Sequence, residues 1–365
     1  SLGIGLAVGL VLIAKVYFEQ SYDDFYPDRD RVYQVWAKYQ QNGGELKDYP
    51  QTSGGIAPTM QQQIPEIETV TRYTSFGDWT FTMTDTKMKY SGRCIIADSC
   101  FFDILPRPML IGNAKEVLST PMYVLISSRI AKNIGGDVIG KKFTEDNSPG
   151  RTMTIGGVFE EVPENSHSRY DVIVSMASAG RFMWEGSPTN MLGNDRYISY
   201  VKLHKGVNPL ALEEQVRTFV NSYFPPEEQQ KVGLSIDFSF HKLDNLHKEL
   251  PQVKRMTWIL SLLAFALIFT AVMNYILIVI SSIVNRSKEV AVHKCYGASE
   301  NNIHGMMFGE ALVHIVLSLI LALLLILAFR GTVEELLATS LDSLLLSNGS
   351  LVLLGICILV FFVSG

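Results

Sequence analysis

The stretch Gly135-Gly-Asp-Val-Ile-Gly-Lys141-Lys142 has the glycine spacing of a phosphate-binding loop as far as its first lysine. Such a loop cradles phosphates in its backbone N–H groups and needs Ser or Thr after that lysine to hold magnesium. Lys142 stands there instead, so the stretch reads as a Gly-rich turn leading into a strand. The histidines His167, His204, His241 and His247 do not fall with Cys or Asp at the spacing zinc requires. No Gly-x-Ser-x-Gly elbow offers a nucleophile. Cys94 and Cys100 would pair in an oxidising compartment or remain two free thiols, and the spacing leaves both open. Glu310 and His314 lie one helical turn apart. Ionisable groups within a membrane are costly, so the two either share a hydrogen bond on a functional path or Glu310 reaches the interface. Asn274 either bonds across helices or contacts local backbone. No catalytic, metal-binding or cofactor-binding residue is expected, and no cofactor.

The polar residues at 274, 310 and 314 sit in apolar runs, and these runs set the architecture. Thr257–Val284 has no charged residue, and about 20 apolar residues suffice to cross a bilayer. Ala311–Phe329 is almost wholly aliphatic. Leu2–Phe18 is broken only by Lys15, and Leu351 onward is apolar to the end. The first run lacks the basic leader and cleavage site of a signal peptide. Within it, Gly5 and Gly9 form a small-xxx-small pair that would let another helix approach. Both ends fall inside an apolar run, so the chain is expected to be a piece of a longer protein. Hydrophobic residues make up 47% of the chain, charged ones 18%, and mean hydropathy is +0.18. That mixture fits a soluble domain joined to spans. The net charge of −5 argues against nucleic acid as a partner.

The expected order is a span at 1–18, a large domain at 19–251, a span at 256–284, a polar hairpin at 285–305, a span at 306–329, a loop at 330–349, and a last span at 350–365. Arg286, Lys288 and Lys294 place the hairpin inside by the positive-inside rule, since the 331–349 loop carries Glu334, Glu335 and Asp342 but no Lys or Arg. The large domain is then external and long enough for two subdomains. Strand-like runs at Arg31–Ala37, Tyr123–Ile126, Met153–Val162 and Tyr197–Leu203 alternate with helical ones at Ile56–Gln63, Ser127–Asn133 and Pro209–Phe224. Asn208 is the expected cap of the last helix, with proline in its first turn. The fold class expected is α+β for the external domain, on an α-helical transmembrane domain of four spans.

The hairpin Arg286-Ser-Lys-Glu-Val-Ala-Val-His-Lys-Cys-Tyr-Gly-Ala-Ser299 resembles the signature R-x-x-E-[IV]-[AG]-[IV]-x-K-x-x-G-A-[ST] of MacB/FtsX-type ABC transporter permeases. The external domain resembles the MacB-like periplasmic core domain in Tyr22-Asp-Asp-Phe-Tyr-Pro-Asp-Arg-Asp-Arg-Val-Tyr-Gln-Val, Ser99-Cys-Phe-Phe-Asp-Ile-Leu, Ile126-Ser-Ser-Arg-Ile-Ala-Lys and Gly156-Gly-Val-Phe-Glu-Glu-Val-Pro-Glu-Asn-Ser-His. The wording is similar to the Bacteroidota branch, where the unit often occurs twice in one chain. The hairpin departs from the usual pattern at Val292-His293, leaving Glu289, Lys294, Gly297 and Ala298 intact.

This resemblance implies a non-catalytic permease of the bacterial inner membrane that works by mechanotransmission. A separate cytoplasmic ATPase would engage the hairpin through Arg286, Lys288, Glu289, Lys294, Gly297, Ala298 and Ser299, with a coupling helix beginning near Ser299. Its movement would pass through the spans to the periplasmic domain, for export of peptides or drugs or for handling periplasmic cargo. A dimer or pseudo-dimer of permease units, the bilayer and a periplasmic adaptor are the further partners implied. The alternatives are a membrane-anchored sensor with a periplasmic ligand-binding domain, and an FtsX-like regulator of cell-wall hydrolases.

Overall fold

The computed structural model describes residues 2–146, 150–285, 300–345 and 355. It divides into two compact units, Asp23–Leu246 on one side and Ser1–Tyr22 with His247–Gly365 on the other.

The helical unit contains α1 (Leu2–Gln20), the first of the helices, whose buried residues Leu6, Ala7, Leu10, Val11, Ala14 and Phe18 pack inside the unit. In the Asp23–Leu246 unit the strands are β1 (Val32–Gln41), β2 (Lys47–Tyr49), β3 (Ile67–Met83), β4 (Lys89–Ala97), β5 (Met109–Ile111), β6 (Tyr123–Ser127), β7 (Lys142–Glu145), β8 (Thr152–Phe159), β9 (Val172–Ser175), β10 (Ile198–Leu203) and β11 (Leu234–Lys242). Its helices are α2 (Ile56–Gln63), α3 (Phe101–Ile104), α4 (Ala114–Ser119), α5 (Ser128–Ile134), α6 (Ala179–Phe182), α7 (Glu213–Tyr223) and α8 (Pro226–Val232). All eleven strands join one mixed sheet, in the order β11-β1-β10-β3-β4-β9-β6-β8-β5, with β2 on β1 and β7 bridging β3 and β8. The β4–β9 and β6–β8 pairs are parallel and the rest antiparallel.

The pattern of side chains explains the layers. Along β4, β6 and β9, alternate residues point to opposite faces, and here both faces are apolar, as expected for strands covered on both sides. Cys94, Ile96, Val124, Ile126, Val172 and Val174 join one core with Phe81, Phe143 and Ile130. Ile95, Ala97, Leu125 and Ile173 join another with Phe101, Leu105 and Leu118. At the β1, β10 and β11 end, α2 and α7 cover a third core through Met60, Ile64, Val216, Phe219 and Val220. The spacing Val216, Phe219, Val220 is one apolar helical face.

The two subdomains expected from length are therefore not separate sheets. β3 runs continuously from the α2–α7 core into the Phe81–Phe143 core. Its register shifts between Ser75 and Gly77, and Gly77 sits at φ +75, the geometry of a bulge that re-aims a strand. The expected helix Pro209–Phe224 starts as a 3-10 turn at Pro209–Leu212 before α7, and Asn208 caps it by accepting from the Leu210 N–H at 3.1 Å.

The remaining helices belong to the helical unit: α9 (Pro251–Asn285), α10 (Glu300–Ala328), α11 (Arg330–Leu337) and α12 (Leu341–Leu345). Among the described residues α1 and the Pro251–Ile278 part of α9 are long and apolar enough to cross a membrane, and Leu312–Ala328 passes the same test only together with α11, to which it is bent by 70°. The fourth run, 350–365, lies outside the described residues apart from Gly355. Trp258, Phe265 and Leu324 are 73%, 68% and 59% exposed, an apolar surface that suits lipid rather than water. The expected loop at 330–349 is instead helical at both α11 and α12. Arg330, just ahead of the acidic stretch, bonds Glu334 at 2.9 Å and Asp342 at 3.0 Å, and Glu334 also accepts from the Leu341 N–H.

Gly5 and Gly9 do lie at a close approach. A Cβ at Gly5 would sit 2.9 Å from the Ala271 methyl, and one at Gly9 2.9 Å from Ile268 Cγ1, so α1 meets α9 through its two glycines.

Candidate functional site

The hairpin residues Arg286, Lys288, Glu289, Lys294, Gly297, Ala298 and Ser299 lie outside the described residues. What is described are the two helices that lead into and out of this segment, α9 ending at Asn285 and α10 starting at Glu300. Asn274 is half-buried on α9, and His314 is exposed on α10. Glu310 is on the same helix, one turn before His314.

Two polar clusters that the sequence reading did not assemble stand out instead. The first lies in the helical unit. Lys15, the lone charge of the first apolar run, pairs with Glu19 at 2.6 Å and donates to the Thr339 hydroxyl at 2.7 Å. Glu19, one turn further along α1, takes the His247 Nε2–H at 2.5 Å. The His247 ring stacks on Tyr22 with centroids 3.5 Å apart. Lys15 and Glu19 are 6% and 5% exposed, so neither charge is left to water. A buried pair of this kind holds only if both partners stay, because removing one strands a charge in low dielectric. The cluster ties α1 to the residues that open the return into α9 and to the turn after α11. Only its Lys15–Glu19 pair had a signal in the sequence, the i,i+4 spacing; His247 and Thr339 had none.

The second cluster opens the Asp23–Leu246 unit. Asp23 is fully buried at φ +58, a left-handed conformation that Asp and Asn tolerate better than most residues. Its carboxylate accepts from Ser166 Oγ at 2.9 Å, from the His167 N–H at 3.3 Å and from His167 Nδ1. The far ring nitrogen, Nε2, then accepts the Tyr200 hydroxyl at 2.5 Å. Tyr26 and Ser168 share a further hydrogen bond of 2.7 Å. Two of the motifs quoted above, the one at Tyr22-Asp-Asp-Phe-Tyr and the one ending Pro-Glu-Asn-Ser-His, thus meet in space. Asp–His–Tyr in a row has the form of a proton relay. Tyr200, however, is fully buried, and burial pushes its phenol well above the ordinary range. No substrate reaches it, and the row acts as a strut.

The candidate chemistry of the opening stretch resolves in the same way. Lys141 Nζ donates to the Gly135 carbonyl at 3.3 Å, closing the turn between α5 and β7 on itself. His241 stacks on Trp36 and meets Ser239 Oγ at 3.0 Å. Cys94 and Cys100 are free thiols, and burial raises both. Among the described residues no group of His, Cys, Asp and Glu is placed to hold a metal ion.

Residues 1–219 match the family described as MacB-like periplasmic core domain, and residues 261–365 match the FtsX-like permease C-terminal family. The chain belongs to the MacB/FtsX-type family of ABC transporter permeases. Permeases of this family are inner-membrane components with a periplasmic domain, generally non-catalytic, and the partner they imply is a cytoplasmic ABC ATPase. The crystal structure of a domain of a permease protein from Porphyromonas gingivalis is similar to this permease at 33% identity, covering 60% of this chain and 91% of that one, with a TM-score of 0.55. The periplasmic region of MacB from Actinobacillus actinomycetemcomitans is 15% identical over 56% of this chain and 87% of its own, at TM-score 0.37. The extracellular domain of the noncanonic ABC-type transporter YknZ from Gram-positive bacteria is 11% identical over 56% and 98%, at TM-score 0.39. No curated protein matches the permease.

Proposed function

We propose that this permease works by mechanotransmission: a separate cytoplasmic ATPase moves the 285–305 segment, the spans carry that movement, and the periplasmic unit acts on a cargo on the far side of the membrane. The observation that carries the reading is the order of the two family matches, core domain first and permease domain second, with Glu289, Lys294, Gly297 and Ala298 standing between two apolar helices. The helical unit supports it physically. A movement arriving at α9 is shared with α1 through the glycine contacts and, further along α1, through the Lys15–Glu19–His247 cluster. Export of peptides or drugs, through a dimer or pseudo-dimer and a periplasmic adaptor, is the cargo reading that follows. ATP chemistry belongs to the partner.

The motif has glycine at position 297, and glycine reaches backbone conformations that a larger residue resists by about 1 kcal/mol or more. Gly297→Val and Glu289→Lys are expected to leave expression and insertion intact while partner-stimulated transport falls. ATP turnover by the permease alone should be nil, and Lys141→Ala should change nothing in it. Normal transport by both hairpin variants, or partner-free ATP hydrolysis lost in Lys141→Ala, overturns the reading.

A further inference from the structure

The periplasmic unit carries a cleft of about 340 Å³, near the lower end of small-ligand pockets, and four arginines line it: Arg93, Arg107, Arg129 and Arg169. One of them is accounted for. Arg129 pairs with Asp171 at 2.6 Å and with Glu161 at 3.5 Å, and both acids line the same cleft. Asp171 is further engaged by the Arg93 backbone N–H at 2.9 Å. The other three guanidiniums make no ion pair among the described residues. Asp78, the cross-strand neighbour of Arg93, is the single acid of the cleft left to oppose them.

Arg107 is the unusual one. It stands between Pro106 and Pro108, which restrict its backbone. It is 6% exposed, and its terminal nitrogens donate to the carbonyls of Ser168 and Tyr170. The Phe159 and Tyr170 rings lie 5.1 and 5.8 Å from the guanidinium carbon. No carboxylate neutralises it, and its Nε–H has no partner among the described residues. A buried cation without a counter-charge is expensive, and an anion entering the cleft offsets that cost. Burial lowers the basicity of this group, as expected for a charge with no counter-ion.

We infer that the cleft is a binding site for a ligand bearing a tetrahedral oxyanion, a phosphoryl group free or carried on a larger molecule, held between Arg93, Arg107 and Arg169. Three guanidiniums lining one cleft suit an acceptor with several oxygens better than a lone carboxylate. This goes beyond the coupling reading and does not depend on it.

The test is calorimetric titration of the full chain in zwitterionic nanodiscs. Inorganic phosphate is one probe and water-soluble dihexanoyl phosphatidylglycerol the other. Saturable one-to-one binding is expected, with sulfate competing and acetate not. Arg93→Ala and Arg169→Ala change exposed residues, so folding is retained, and each should weaken binding about tenfold, the loss of one charge-assisted hydrogen bond. Tighter binding of the lipid probe identifies a headgroup, and tighter binding of phosphate a free anion; both support the site. Absence of saturable binding by either probe, competition by acetate equal to that by sulfate, or binding unchanged in both variants overturns the inference.

Discussion

Asp23 and His167 show how much can rest on one side chain. The carboxylate satisfies a hydroxyl, a backbone N–H and an imidazole inside the fold, and truncating it leaves all three unmade. Asp23→Ala is expected to cost about 2–4 kcal/mol, lowering the melting temperature of the periplasmic unit by roughly 5–10 °C. Asp23→Asn tolerates the positive φ and keeps one acceptor oxygen for the Ser166 hydroxyl and the His167 N–H, losing only the bond to His167 Nδ1, so it should cost less than half as much. Thermal unfolding of the two variants followed by circular dichroism compares them, and equal losses would contradict the network. Asp28 and Glu68 make stability depend on acid. Lys202 hydrogen-bonds Asp28 at 2.6 Å and Arg31 bonds Glu68, and these bonds hold both carboxyls below their ordinary values. A depressed carboxyl contributes stability above its unfolded value, near pH 4, and loses it as pH falls through the folded value. Denaturant midpoints of the wild type should therefore fall from pH 5 to pH 3 more steeply than those of Lys202→Gln. Asp98, raised by burial against the pull of Arg72, works in the opposite sense and is common to both proteins.

Helices and strands carry the next set of consequences. The contact of α1 with α9 depends on glycine at positions 5 and 9. Gly9→Ala places a methyl where Ile268 Cγ1 would be 2.9 Å away, and should destabilise the helical unit. Ile268→Ala in the same chain frees that space. The pair should show a coupling of about 1 kcal/mol or more in a double-mutant cycle of detergent melting temperatures, and strict additivity would argue against the packing. The glycine pair was legible in the sequence because its spacing matches helical geometry. Helix α2 was legible at its observed bounds because its neighbours supply clear breaks. The elements at 330–345 were not, because what makes them helical is the pairing of Arg330 with two acids, and charge placed that way reads as a loop. The single sheet was hidden for a similar reason. Nothing local announces that β3 passes from one core into another; only long-range pairing to β10, β4 and β7 does. The clasp of Lys15, Glu19, His247 and Thr339 joins residues more than 200 positions apart, beyond the reach of spacing.

At the scale of the whole molecule, the first expectation is topological. In a chain otherwise lacking cysteine, a membrane-impermeant thiol reagent on intact cells should label Lys87→Cys, at the exposed β3–β4 turn, and leave the native Cys295 untouched. The reverse pattern would invert the arrangement. The fold of the periplasmic unit adds a mechanical consequence. Its incoming strand β1 and outgoing strand β11 are hydrogen-bonded antiparallel neighbours, in register from Tyr33↔Lys242 to Gln41↔Leu234. The chain therefore arrives and leaves at the same end of one ladder. Tension that separates Asp23 from Leu246 is met first by the Asp23 network and the Arg29–Asp244 pair at 3.4 Å, and beyond them by the Tyr33–Lys242 rung, from which the ladder would peel one rung at a time. A displacement shared by both ends loads no rung and carries the sheet as a rigid lever. The unit is stiff to common motion and soft to differential motion, which makes β1–β11 a mechanical fuse.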